Sequence, residues 1–524
     1  MKRKNLSLVT VCLGTFVAML DNVVVNNALP AIGGDFGVGV GTLQWVIEGY
    51  SLVFAALLMT GGTLGDRLGR KRMFTAGMAV FAAGSIAAGT APSYAVLVGA
   101  RVVQGIGAAM LTPSSLAILR DVFTDEKERA RAIGTWSGMS ALGLAVGPLL
   151  SGPIVEAFGW TGVFWIHVPV AVAALVLAAR VLPESAAPAG RALDWPGQLL
   201  CVIGLGSLVT ALVEGQSLGW HDGRILLCIA VGTASIVAFT AVELRVESPM
   251  LDLRLFRERA LGAAALTGFM VGFAVFGVSF FLPLLLQDVM GWSPTDAGFA
   301  GLPMTAMVVI AGPLSGMLTA RRGPRIPLAV GLVLCSMALF GLSAYGPGAH
   351  YREYLWVLLA LGLGMGMTFT PVSVTVMKHV APARTGMASA TLNTLREMGG
   401  VVGIAVLGVV LAHRMTAELA EAGLPARTHR SLTASSAAPT PAESSALAVT
   451  ETVDAAFVDG LHLALRSGGA AMLVTATVVT ILLRPGVPAL PSQRHDGTPE
   501  QRPDILEDPP GRGRIFDAHR KSSP

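Results

Sequence analysis

Charge is what this chain lacks. Only 13% of its 524 residues are Asp, Glu, Lys or Arg, whereas a soluble domain carries about 25%. A soluble globular core of this length is thereby excluded. Aromatic residues are sparse at 6%, and the cysteines number four. Cys12, Cys201, Cys228 and Cys335 all lie in apolar stretches without metal-ligand spacing, which excludes a disulfide scaffold and a zinc module. Phosphate-cradling glycine loops, nucleophile elbows and dinucleotide fingerprints are missing too. An enzyme is therefore not expected, nor ATP as the energy source, nor any metal or organic cofactor.

What is there is apolar: 53% of residues, with a mean hydropathy of +0.65. The apolar residues form fourteen runs of roughly twenty residues, long enough to cross a bilayer as helices. The first covers 6–32 and the last 461–483. Membrane barrels are built from alternating strands of about ten residues, so these runs predict an all-α integral membrane protein. The basic N-terminus MKRKNLSLV resembles a signal sequence, but the run behind it is too long and has no A-x-A site, so a retained first span is expected.

Basic residues cluster in alternate loops. Arg67, Arg70, Lys71 and Arg72 are followed by Arg120, Lys127, Arg129 and Arg131, and later by Arg321, Arg322 and Arg325. The short loops near 33–41, 92–94, 157–160 and 288–296 carry no Lys or Arg. The asymmetry predicts both termini in the cytoplasm of a bacterial cell, with the protein in its inner or plasma membrane. The net charge of +4 is then a bilayer signal, not a nucleic-acid one. Residues 413–459 are expected outside, and the polar, Pro-rich residues 485–524 as a disordered cytoplasmic tail.

The chain repeats itself with a period near 250 residues. Span 4 carries QGIGAAMLTPSS and span 12 GLGMGMTFTPVS; Gly147-Pro148 in span 5 answers Gly399-Gly400 in span 13. Two six-helix bundles follow, over 1–194 and 256–484, with two inserted helices over 195–255. Paired bundles around a midplane site are the plan of secondary transporters.

The residue least at home is Asp21, near the middle of the first span. A carboxylate there costs at least ~2.5 kcal/mol, so it faces a partner or a wet cavity and marks a functional site. Glu48 in span 2 and Arg101 in span 4 lie at similar depth, Arg101 roughly 9 Å from the outer face. Either Asp21 or Glu48 could pair with Arg101. In span 13, Arg396 and Glu397 add a second intramembrane pair. Asp288 and Glu214 fall at span ends and are expected to be solvated.

Four motifs carry a resemblance to a known family. Gly62–Arg72 (GTLGDRLGRKR) is similar to the loop motif of the major facilitator superfamily, with Gly62, Gly65, Asp66, Arg67, Gly69 and Arg70 at its defining positions. LDNVVVNNALP in span 1 resembles the fourteen-span drug:proton antiporter branch (QacA/EmrB-like exporters); here Val23 stands for Thr, and Asn27 for an apolar residue, with no expected effect on mechanism. RVVQG at 101–105 resembles a buried arginine motif. Gly143, Gly147, Pro148 and Gly152 resemble the antiporter motif of span 5. The resemblance implies a major facilitator fold of fourteen helices and proton-motive-force-driven export of hydrophobic or cationic drugs by alternating access. It implies protons as coupling ion, carried among Asp21, Glu48, Arg101, Arg396 and Glu397, and a monomer as the working unit. Asn22, Asn26, Gln104, Met110 and Asn393 are candidates for the substrate cavity. A proton-coupled symporter and a dedicated exporter of one metabolite are the alternatives. His167, where the family often has Asn, is expected to be an interfacial polar residue.

Overall fold

The computed structural model describes residues 2–186, 194–246, 249, 251, 253–346, 348–380, 385–422 and 443–483. The expected tail 485–524, residues 423–442 of the outer loop and part of the connection between the first bundle and the inserted helices lie outside these residues. Among the described residues, fourteen helices are long and apolar enough to cross a membrane. We number them α1 (Arg3–Phe36), α2 (Val40–Leu68), α3 (Arg70–Gly89), α4 (Tyr94–Val122), α5 (Glu126–Phe158), α6 (Gly162–Val181) and α7 (Trp195–Gly215). The others are α8 (Gly223–Glu243), α9 (Arg259–Val289), α10 (Pro294–Arg322), α11 (Arg325–Leu342), α12 (Tyr351–Val376), α13 (Ala390–Glu421) and α14 (Glu451–Leu482). Hydrocarbon offers the backbone no partner, so each span satisfies its own N–H and C=O groups within a helix. Prolines inside α4, α5, α9, α10 and α12 break that pattern locally. Pro283 is followed by a π-helical turn at Leu285–Val289, and α1 is interrupted by a 3-10 turn at Asn26–Ala28 just ahead of Pro30.

The internal repeat is visible as a repeated packing plan. In the first bundle α4 packs on α2 and α3, and α1 on α5; in the second, α12 packs on α10 and α11, and α9 on α13. Small residues let these backbones meet, as they do in membrane helices generally. A Cβ on Gly61 would strike the Ala109 carbonyl, and one on Gly362 the Met304 carbonyl. The fold is therefore two six-helix bundles plus two inserted helices. Of the inserted pair, α7 packs against both α2 and α13, and α8 packs against α7. Trp45 Nε1 donates to Glu214 Oε1 at 2.8 Å, Gln198 Nε2 donates to the Ala56 carbonyl at 2.9 Å, and Thr60 donates to Gln198. Glu214 thus anchors α7 to α2 instead of facing solvent as expected.

Helices α13 and α14 outrun the bilayer. Their full helical stretches are Thr385–Glu421 and Glu443–Leu482. Forty residues at 1.5 Å per residue reach about 60 Å, against about 30 Å of hydrocarbon. The excess pairs as a helical hairpin, with Arg414 held by Asp459 at 3.2 Å and by Glu418, and with Leu419 and Phe457 buried in the seam.

Candidate functional site

Asp21 and Arg101 are both 0% exposed, and Arg101 Nη1 donates to Asp21 Oδ2 at 2.7 Å. Arg101 makes two further hydrogen bonds, from Nη1 to Gln104 Oε1 at 2.8 Å and from Nε to the Val46 carbonyl at 2.9 Å, while Nη2 has no partner among the described residues. Its guanidinium lies 4.6 Å from the Tyr50 ring centre and 5.9 Å from that of Phe164, which supplies cation–π stabilisation away from water. Gln104 closes the circuit, with Nε2 donating to Asp21 Oδ1 at 3.2 Å and to Ser85 Oγ at 2.9 Å. Four helices, α1 to α4, thus converge on one ion pair. Gln104, a cavity candidate by sequence, is wholly enclosed in this network.

His167 is the group that sequence reasoning misplaced. It is not interfacial but 0% exposed, with Nδ1 3.6 Å from Asp21 Oδ1 and its ring 5.6 Å from Phe81, edge-on. Neither ring nitrogen has a hydrogen-bond partner among the described residues.

Glu48 does not pair with Arg101. Its neighbour Gly49 is the residue that faces Arg101, at 3.6 Å from the Arg101 Cβ to a Cβ built there. Glu48 is fully buried, and neither carboxylate oxygen has a partner among the described residues. Asn22 is buried with both side-chain polar atoms unpartnered, and Asn26 with its Oδ1 unpartnered. In α13, Arg396 Nη2 donates to Glu397 Oε1 at 2.9 Å and stacks 5.9 Å from Phe369, while Glu397 Oε2 has no partner. Met110 is half-buried and packs on Gly77 of α3, and Asn393 is exposed.

The loop motif sits at the arginine-rich face. Gly69 turns the chain at φ +111°, a conformation that side chains rarely adopt, and the Glu184 carboxylate occupies the space a Cβ would need. Arg70 donates to Asp66 Oδ1 at 2.7 Å and to Asp121 Oδ2 at 2.5 Å, tying α2, α3 and α4 together; Arg67 is exposed. The segment after α6 straps this turn: Arg70 N–H donates to the Ser185 carbonyl at 2.8 Å and Lys71 N–H to Glu184 Oε1 at 3.2 Å. Neither Asp121 nor Glu184 stood out in the sequence, because each belongs to an ordinary charged loop. Gly69→Ala is expected to lower stability by about 1–3 kcal/mol through this strained φ, read as a fall in melting temperature in detergent. An unchanged melting temperature would mean the turn relaxes freely.

The span 5 motif forms one smooth face that first serves α1 and then crosses the bundles. Gly143 abuts the Phe16 carbonyl and Gly147 abuts Val23. A Cβ on Gly152 would strike the Pro294 carbonyl, and one on Gly298 the Pro148 carbonyl. Asn27 sits in this seam: its Nδ2 donates to the Pro294 carbonyl at 2.8 Å, and it accepts from Gln287 Nε2 at Oδ1, 2.8 Å, and at its own carbonyl, 3.0 Å. Asn27, expected to be mechanistically silent, therefore bonds across the bundles. These contacts, with Gln44 Nε2 against the Ile404 carbonyl at 3.5 Å, fasten the bundles together at the arginine-poor end.

A paired-bundle membrane protein with charge locked at mid-membrane belongs to the class of secondary transporters. The Major Facilitator Superfamily pattern is matched over residues 11–404. The chain belongs to that superfamily and is a small-molecule transporter. It is 38% identical over 417 residues to the multidrug resistance protein Stp of Mycobacterium tuberculosis, covering 79% of this chain and 77% of Stp. It is 35% identical to the tetracenomycin C resistance and export protein of Streptomyces glaucescens, covering 90% of each. A bacterial homologue of the human lysosomal transporter Spinster, solved inward-facing and unoccupied, shares the fold with a TM-score of 0.64 at 19% identity, over 92% of this chain and 97% of that one.

Proposed function

We propose that this protein is a proton-driven efflux antiporter for hydrophobic or cationic drugs. The observation that carries the reading is the Asp21–Arg101 pair, wholly enclosed and cross-bonded by Gln104. A buried pair of this kind is held by mutual neutralisation; adding a proton to Asp21 releases Arg101 and makes a different arrangement favourable. Protonation from outside would thus be exchanged for substrate bound from the cytoplasm, and deprotonation inside would reset the pair. Glu48 and Glu397 are further carriers on the same reading, so the stoichiometry can exceed one proton. The names of Stp and of the tetracenomycin exporter support export over uptake.

The arginine-rich face is cytoplasmic on the positive-inside rule, which puts both termini inside and the α13–α14 hairpin outside. The bundle seam at Asn27, Gly152 and Pro294 is then the outer gate, and it is closed here. One chain holds every group in the cycle, so a monomer suffices. The match over 90% of both chains to the tetracenomycin C resistance and export protein supports a second reading, a dedicated exporter of one endogenous metabolite.

A susceptibility panel in an efflux-deficient bacterial host separates the two. Multidrug export is expected to raise tolerance to several unrelated lipophilic cations, ethidium among them. A shift for one compound class alone selects the dedicated exporter, and no shift for any compound rejects drug efflux.

A further inference from the structure

The mechanism above leaves the enclosed His167 side chain unused. His167 stands five residues into α6, roughly 7.5 Å along the helix from its arginine-poor end. It packs between α1, which presents Asp21, and α3, which presents the uncharged Phe81 ring. The charged groups that face it are Asp21 from α1 and Arg101 from α4. Both ring nitrogens are unpartnered among the described residues, although a buried imidazole kept for packing alone would satisfy at least one. The 3.6 Å from Nδ1 to Asp21 Oδ1 is just beyond a hydrogen bond, and a small shift of α6 against α1 would close it. Asp21 Oδ1 is also the less firmly held oxygen: it accepts only the longer, 3.2 Å bond from Gln104, while Oδ2 holds Arg101 at 2.7 Å.

We propose that His167 is the proton donor to Asp21 on the arginine-poor side, a role that rests on reading Asp21 as the proton-carrying carboxylate. An imidazolium protonated at both nitrogens gives its Nδ1 proton to Asp21 Oδ1. The carboxylate becomes a neutral acid and the ring becomes neutral. Water admitted when the arginine-poor seam opens returns one proton to the ring. Asp21 later releases its own proton toward the arginine-rich side, so this cluster passes one proton per turn and returns to its starting charge. Histidine suits this step because a single ring both accepts and donates. Asparagine at this position can bond but cannot carry a proton.

Two measurements on the purified full-length protein test this with His167→Asn, which keeps a polar group of similar reach. The first is an infrared pH titration of the Asp21 carboxyl band, identified by its loss in Asp21→Asn. Coupled sites titrate in steps that belong to the pair. Wild type is expected to show two steps and His167→Asn one, displaced at least about tenfold in proton concentration. Superimposable curves would overturn the proposal. The second compares ethidium movement in proteoliposomes under an imposed pH gradient with ethidium exchange at symmetric pH. Gradient-driven uptake is expected to fall about a hundredfold, the lower range for loss of a positioned proton donor, with exchange unchanged. Equal loss in both modes would assign His167 to packing and also overturn it. Should wild type not move ethidium at all, the efflux reading fails, and the infrared curves still decide the role of His167.

Discussion

Asp21→Asn is expected to yield an inserted, folded protein whose proton-driven export falls to background while its binding of ethidium persists. The amide is nearly isosteric with the carboxylate, and its oxygen can still accept from Arg101. It cannot exchange a proton, and it leaves the guanidinium with no counter-charge. Breaking a buried pair from one side costs about 3–5 kcal/mol. The Tyr50 and Phe164 rings, the Gln104 oxygen and the Val46 carbonyl remain to soften that loss. Melting temperature should therefore drop measurably without loss of the fold. Glu48→Gln is the contrasting variant. Glu48 has no partner to strand among the described residues, so this substitution is expected to leave stability unchanged or raise it, because a buried unpartnered carboxyl is itself costly. Transport should still fall if Glu48 shares the proton. Opposite signs in stability with a common loss in transport would mark two carboxylates in one cycle. Wild-type proton coupling in Asp21→Asn would remove Asp21 from the mechanism.

The second large effect is expected at the bundle seam. Gly152→Leu puts a side chain where the Pro294 carbonyl and the Thr295 Cα now lie. Backbone on both sides leaves nothing flexible to give way, so the closed arrangement at this end is excluded. Export should fall to background, and a cysteine introduced at the seam should react with an external, membrane-impermeant thiol reagent far faster than in the unmodified seam. Asn27→Leu is the milder form, removing two side-chain hydrogen bonds worth about 0.5–1.5 kcal/mol each and leaving the one to the backbone carbonyl. Its population should shift toward the open seam without being locked there. Unchanged reactivity in both variants would show that Gly152 and Asn27 do not govern closure.

Much of this architecture was legible in the residues. Hydropathy alone marks fourteen spans, since the bilayer leaves the backbone one local solution for each. Asp21 and Arg101 were legible because intramembrane charge is rare and expensive. Their choice of each other over Glu48 was not. It depends on the rotation of α2, which points Gly49 instead of Glu48 at Arg101, and a rotation of one residue in a uniformly apolar helix leaves no trace in hydropathy. The same holds for His167, which meets Asp21 from 146 positions away in the chain, and for Asn27, which meets Pro294 across 267. Local surroundings alone make His167 look interfacial and Asn27 a silent exchange within its motif. The start of α14's helix at Glu443 was hidden for another reason: a polar helical extension beyond the membrane carries no apolar signature. Glu184 and Asp121 act only through a turn that the chain assembles from three separate loops.

Proton flux on substrate addition tests the coupling of Asp21 to export most directly. Inside-out vesicles bearing the protein are given an acidic lumen, and ethidium is added outside while luminal pH is followed. The expected result is prompt alkalinisation of the lumen in wild type, as protons leave in exchange for ethidium, and no response with Asp21→Asn. Ethidium entry without proton release, or equal alkalinisation in the variant, would contradict it.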